Sequence, residues 1–150
     1  MGKKTILIVD DEMDMRLYLS TLLESHGYRP LTRRDGKDGM TTIREDRPDL
    51  ILLDIMMPGD GGVKMYRRLK GDPALTDIPV IMLSAYPESH FAVRALRAGA
   101  RGYLCKSQGS DDLLEAVERA PAPAVVVLPN NRIIARNGGA GANGNPGENG

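Results

Sequence analysis

Three runs of consecutive, nearly all apolar residues constrain this chain more than anything else: Thr5 to Val9, Leu50 to Leu53 and Val80 to Leu83, each bounded by charge or proline. Runs this short and this continuous read as strands buried on both faces, and such strands imply a parallel sheet. Weaker strands are expected at Arg29 to Thr32 and Gly102 to Cys105, each introduced by a helix exit containing glycine, Gly27 and Gly99. Between the runs, apolar residues recur at helical spacing: Met15, Tyr18, Leu19, Leu22 and Leu23; Met65, Tyr66 and Leu69; Phe91, Ala95 and Leu96; Leu113, Leu114 and Val117. The stretch Gly36 to Glu45 is a poorer helix because of Gly36, Gly39 and its threonines, yet its place between two strands demands a crossover. Ser110 is expected to cap the last helix, with Asp111 and Asp112 in its first turn. Five strand and helix units in alternation predict an α/β fold, an open parallel sheet with helices on both faces.

A length of 150 residues suits one domain with a single core. The formal net charge of +0, with 27% charged residues, offers no broad attraction to nucleic acid or anionic lipid, so partners must be read by local surface. A lone cysteine, Cys105, excludes an internal disulfide framework and points to a reducing compartment; its apolar and aromatic neighbours suit a packed strand residue better than a redox thiol. Lys3 and Lys4 precede an apolar run that ends in acid too soon for a signal peptide or a membrane span. The expectation is a soluble, cytoplasmic protein with no membrane contact.

After Arg119 the character changes. Pro121 and Pro123 stop the helix, Val125 to Leu128 and Arg132 to Ala135 are apolar, and glycine and asparagine dominate from Asn137. This divides the chain into a domain over 1–120 and a tail over 121–150, with a short hairpin at 125–135 as one option and disorder beyond it. The remainder is too short and too rich in glycine for a helical DNA-binding domain, so no direct nucleic-acid contact is expected.

In sheets of this kind ligands sit beyond the carboxyl ends of the strands. The residues there are Asp10, Asp11 and Glu12 after the first run, Asp54 after the third strand, Ser84 after the fourth and Lys106 after the fifth. Singly, each has an ordinary explanation as a cap, a turn or an ion pair. Together they supply a nucleophile, a cation and a hydroxyl, and carboxylates crowded at one rim would repel one another unless an oxygen-loving cation such as Mg²⁺ sat among them.

With the segments ILIVDDE, DLILLDIMMPG, PVIMLSA and GYLCK, the chain from Lys4 to about Arg119 resembles the receiver domain of bacterial two-component response regulators. That resemblance implies a flavodoxin-like doubly wound five-stranded parallel sheet in the order 2-1-3-4-5 with five helices. It implies Asp54 as phosphoacceptor from a sensor histidine kinase or phosphotransfer protein, Asp11 as a direct Mg²⁺ ligand, Asp10 as one acting through water, and the Met56 backbone carbonyl as a third ligand. Mn²⁺ would serve in place of Mg²⁺. Lys106 would pair with a phosphoryl oxygen, Ser84 would donate its hydroxyl to another, and Tyr103 would turn inward behind Ser84. The implied chemistry is self-catalysed phosphorylation and dephosphorylation rather than conventional turnover. Output to a downstream protein would pass through residues 88–98, 102–105 and 111–119, and a phosphorylation-dependent homodimer stays open.

Two departures from the family pattern stand out. Ser107 follows Lys106 where the family usually has proline after a cis peptide, a bond that before a non-proline residue costs about 3–4 kcal/mol. Asp60 stands where a hydrophobic residue is common, and Gly61 and Gly62 after it should loosen the start of the third helix. These departures motivate an alternative, a phosphorylation-independent interaction module on the same fold.

Overall fold

The computed structural model describes residues 2–55, 57, 61–85, 99, 102–106, 109–120, 125–127 and 133–135, the side chains of 61, 125–127 and 133–135 excepted. Its elements, in chain order, are β1 (Thr5–Val9), α1 (Met13–Ser25), β2 (Arg29–Arg33), α2 (Gly36–Asp46), β3 (Leu50–Asp54), α3 (Gly61–Lys70), β4 (Val80–Ser84), β5 (Gly102–Cys105), α4 (Ser110–Arg119), β6 (Val125–Val127) and β7 (Ile133–Ala135). The helix expected from Phe91, Ala95 and Leu96 lies outside the described residues.

One sheet holds all the strands in the order β2-β1-β3-β4-β5-β6-β7. The first five are parallel and follow the expected order. β6 continues the sheet in parallel beside β5, pairing Gly102 with Val125 and Tyr103 with Val126, and β7 closes it antiparallel. The outer edge of β5 is therefore paired with another strand of the same chain.

Alternation along the strands explains why their sequences read as unbroken apolar runs. Leu7, Val9, Ile51 and Leu53 face one side and pack with Met40 and Ile43 of α2 and Met65, Tyr66 and Leu69 of α3. Ile6, Ile8, Leu50 and Leu52 face the other and pack with Leu19 and Leu23 of α1 and Leu113 and Val117 of α4. β1, β3, β4 and β5 are buried throughout, whereas β2 at the edge is exposed or half-buried.

Local chemistry sets the helix ends. Gly27 takes φ 89 beyond α1, a left-handed turn that glycine adopts without strain. Asp35 caps α2 by accepting from the Asp38 amide at 2.9 Å. The expected cap of α4 is corrected: Gly109 occupies the cap position with no side-chain bond, and Ser110 is already the first helical residue. The glycines that weaken α2 in isolation have a packing reason. A Cβ at Gly39 would come within 2.9 Å of Met65 Cε and 3.1 Å of Val9 Cγ2, so its absence lets α3 close against α2 and β1.

Gly62 is tighter still. A Cβ there would overlap the Asp54 carbonyl oxygen and lie 2.8 Å from Ile55 Cα. The start of α3 thus approaches the end of β3 backbone to backbone, which gives Gly62 a packing reason beyond its effect on the helix start.

Candidate functional site

The carboxyl ends of the parallel strands form one polar rim. Register places them side by side: Val9 pairs with Leu53, Asp54 with Leu83 and Ser84 with Cys105. Backbone bonds carry the ladder just past the strands, with the Asp10 amide donating to Arg33 O at 3.1 Å, Ile55 to Leu83 O at 3.0 Å and Lys106 to Ser84 O at 2.7 Å. The parallel sheet therefore delivers residues far apart in sequence to neighbouring positions.

Asp10, Asp11 and Asp54 each present a carboxylate oxygen, and these oxygens lie within 4.8 Å of one another. Asp10 and Asp54 are buried, Asp11 exposed. The turn after β1 is fixed by the Asp10 side chain, which accepts from the Glu12 amide at 2.9 Å through Oδ1, while Arg16 donates to the Asp10 carbonyl at 2.8 Å. Lys106 Nζ stands 2.9 Å from Asp10 Oδ2, 2.9 Å from Glu12 Oε1 and 3.0 Å from Asp54 Oδ2. The contacts to Glu12 and Asp54 are hydrogen bonds. The contact to Asp10 is ionic but off the angle of a hydrogen bond, leaving Asp10 Oδ2 buried with no hydrogen-bond partner among the described residues.

The electrostatics follow from this crowding. Partial burial and the adjacent Asp54 carboxylate raise the Asp11 pKa above the ordinary value, because a second negative charge beside the first is unfavourable. The Lys106 ammonium lowers that of Glu12. For Lys106, burial favours the neutral amine, but the carboxylates of Glu12, Asp10 and Asp54 outweigh it and hold its pKa above the lysine range. A raised lysine pKa stabilises the fold fully below the ordinary value of 10.5 and loses that contribution as pH rises through the folded value. Thermal unfolding followed against pH should therefore show an alkaline loss of stability above 10.5 that shrinks in Lys106→Met.

These residues fit a divalent cation. The donors are all oxygens, their spacing suits a mixture of direct ligands and bridging waters, and a buried carboxylate oxygen lacks a hydrogen bond. The Met56 carbonyl, expected as a further ligand, lies outside the described residues, as do Ser107 and Asp60. Lys106 reaches Asp54 although serine follows it in the sequence.

Ser84 is fully buried at the end of β4, beside β5 and next to the rim. Tyr103 is not brought to the acids. It is buried in register with Met82, within the core on the α2 and α3 side, so the ring is already inward rather than turned to solvent. Cys105 is buried, its thiol 3.8 Å from Ala85 O, in keeping with a packing role. Two residues gained importance only in three dimensions. Glu12 was expected at the rim with the other acids, but which of them Lys106 would meet, here Glu12 across 94 positions, is settled only by the fold. Gly62 could have been suspected only from its distance from Asp54.

A doubly wound sheet carrying an acid cluster and a lysine at its carboxyl rim places the chain among α/β domains whose site lies beyond the strand ends. The sequence matches the family model of the response regulator receiver domain over residues 6–118, and the chain belongs to that family. It is 42% identical over 123 residues to the phosphate regulon transcriptional regulatory protein PhoB of Pseudomonas aeruginosa, covering 80% of this chain and 54% of that protein. It is 38% identical over 112 residues to protein PilH of the same organism, covering 75% of this chain and 93% of PilH. The chain spans about half the length of the PhoB relatives it matches. Among solved structures, the chemotaxis protein CheY4 of Vibrio cholerae is similar with a TM-score of 0.74 and 25% identity, covering 79% of this chain and 99% of that one. The N-terminal domain of a response regulator receiver protein from Methanoculleus marisnigri gives 0.65 and 38%, with 79% and 96% covered. Among the described residues no helix is long and apolar enough to cross a membrane.

Proposed function

We propose that residues 1–120 act as a single-domain receiver that accepts a phosphoryl group on Asp54 from a sensor histidine kinase or phosphotransfer protein, in a Mg²⁺-dependent reaction, and switches conformation to control a partner protein. The observation that carries this reading is the convergence of Asp10, Asp11 and Asp54 on one rim with Lys106 against Asp54. A Mg²⁺ ion held by Asp11, by Asp10 through water and by the Met56 carbonyl would neutralise charge on the transferring group. An Asp54 carboxylate oxygen forms the new bond to phosphorus as the bond to the donor's histidine nitrogen breaks. Lys106 offers its ammonium to a phosphoryl oxygen, and Ser84, at the end of the neighbouring strand, offers its hydroxyl to another. The matched segment covers 93% of PilH and 54% of PhoB, and the single-domain reading follows the first of these.

Modification adds charge and acceptor oxygens and so favours whichever conformer presents donors to them. Moving a population from 1:99 to 99:1 needs about 5.5 kcal/mol. Charge-assisted hydrogen bonds at roughly 1.5–3 kcal/mol each reach that figure with two at the upper end of the range or about four at the lower. Tyr103 lies on β5, whose Cys105 pairs with Ser84 and precedes Lys106, which supports reading β5 as part of the route outward.

Transfer of radiolabel from an autophosphorylated histidine kinase tests this. Label should appear with Mg²⁺, vanish with chelator and vanish in Asp54→Asn; label retained in Asp54→Asn would overturn it. A protein donor also needs a contact surface. Met13 and Leu17, one turn apart on α1 beside the rim, are exposed despite being apolar. Leu17→Ser should slow transfer from the kinase about tenfold, as for a contact residue, while phosphorylation by acetyl phosphate changes less than about twofold. Equal slowing with both donors would contradict a docking role.

A further inference from the structure

We propose that Glu12 is a positioning residue, an exchangeable latch that holds the Lys106 ammonium at the mouth of the site until a phosphoryl oxygen on Asp54 takes its place. This inference rests on the phosphoacceptor reading and adds to it a competition built into the resting site.

An ammonium has three N–H donors. Lys106 already faces three carboxylates, at 2.9 Å to Asp10, 2.9 Å to Glu12 and 3.0 Å to Asp54. Phosphorylation turns the Asp54 carboxylate into an acyl phosphate, so that contact passes to the phosphoryl oxygens, and the ammonium can follow them only as far as its hydrogen bond to Glu12 and its ionic contact with Asp10 allow. The partners differ in what they lose: the Asp10 and Asp54 side chains are 0% and 2% exposed, whereas Glu12 is 63% exposed and can be rehydrated on release. Glu12 is the partner that gives way.

A second observation concerns what Glu12 does not do. It occupies the N-cap position of α1 with extended backbone, φ -89 and ψ 119, yet makes no side-chain cap bond to the helix. Its amide donates to Asp10 Oδ1 at 2.9 Å and its carbonyl accepts from Arg16 at 3.1 Å, so the backbone is pinned while the carboxylate reaches across to β5. Shorter Asp, Asn or Ser residues cap best at this position. A glutamate here has the length to reach Lys106 instead.

Release of Glu12 opposes every state in which Lys106 serves a phosphoryl group, so removing the latch should favour that state. The test is isothermal titration calorimetry of the full chain with beryllofluoride in saturating Mg²⁺, a stable stand-in for the aspartyl phosphoryl group. Glu12→Gln should tighten binding about threefold, the scale expected of a partly exposed ion pair. In a Lys106→Met background the same change should have an effect below about 1.5-fold, since the contact is already gone. Through-space repulsion between Glu12 and the anion predicts instead an equal gain in both backgrounds, which would overturn the proposal. Glu12→Asp supplies a second arm that leaves Lys106 intact: it keeps the charge but draws the carboxylate back, so it should bind as Glu12→Gln does. Behaviour like the unsubstituted protein would overturn the latch. Absence of beryllofluoride binding by the unsubstituted protein would overturn the phosphoacceptor reading itself, an outcome distinct from the others.

Discussion

Replacing Lys106 with methionine should lower the stability of the metal-free protein by about 2–4 kcal/mol, close to the loss seen when one partner of a shielded ion pair is removed. The reason lies in what remains. Asp10 and Asp54 are both buried on the rim, and the Lys106 ammonium contacts both. Methionine matches the length of the lysine stem and keeps its packing but removes the ammonium that stands 2.9 Å and 3.0 Å from two buried carboxylates. Urea unfolding would read the loss as a lower midpoint at unchanged slope. Two additions should recover most of it: Mg²⁺, which would bring positive charge to the same oxygens, and Asp54→Asn, which removes one of the opposed charges. An unchanged midpoint in Lys106→Met would mean that the ammonium contributes nothing to holding the acids together.

The second large effect is expected at Gly62. Alanine there would drive a methyl group into the Asp54 carbonyl and within 2.8 Å of Ile55 Cα, both main-chain atoms that cannot swing aside. Overpacking of this kind costs about 1–3 kcal/mol, and backbone against backbone belongs at the upper end. Relief comes only by moving the start of α3 away from β3 or by rotating the Asp54 peptide, and either displaces the candidate phosphoacceptor. Gly62→Ala should therefore lower the unfolding midpoint and slow labelling by acetyl phosphate together. Gly39→Ala is the control: its contacts are the flexible end of Met65 and a Val9 methyl, so it should cost less and leave labelling nearly unchanged. Equal behaviour of the two variants would contradict a special role for the approach at Gly62.

Much of this architecture is legible in the chain because it rests on simple periodicities. The runs at Thr5, Leu50 and Val80 read as buried strands because both of their faces meet helices, and the polar residue ending each run marks the rim. Asp10, Asp11, Asp54 and Lys106 could be gathered because a parallel sheet places all its carboxyl ends on one side. What escaped depends on contacts between elements. The Gly36 and Gly39 of α2 look like helix weakness until Met65 is seen against them, and Gly62 looks like slack until the Asp54 carbonyl is seen beneath it. Ser110 has the chemistry of a cap, but the chain enters the helix one residue earlier. Tyr103 is inward, in one buried cluster with Met65 and Tyr66 of α3 and Met82 of β4, a neighbourhood no local pattern records. Nor does composition reveal that β6 lies along β5, since three valines in a row could pair with any open edge.

Intact mass measurement before and after incubation with acetyl phosphate and Mg²⁺, followed by peptide mapping, tests the central claim most directly. The account predicts the addition of one phosphoryl group, confined to the peptide containing Asp54 and absent when Mg²⁺ is chelated. A phosphoryl group on any other residue, or an unchanged mass with Mg²⁺ present, would contradict it.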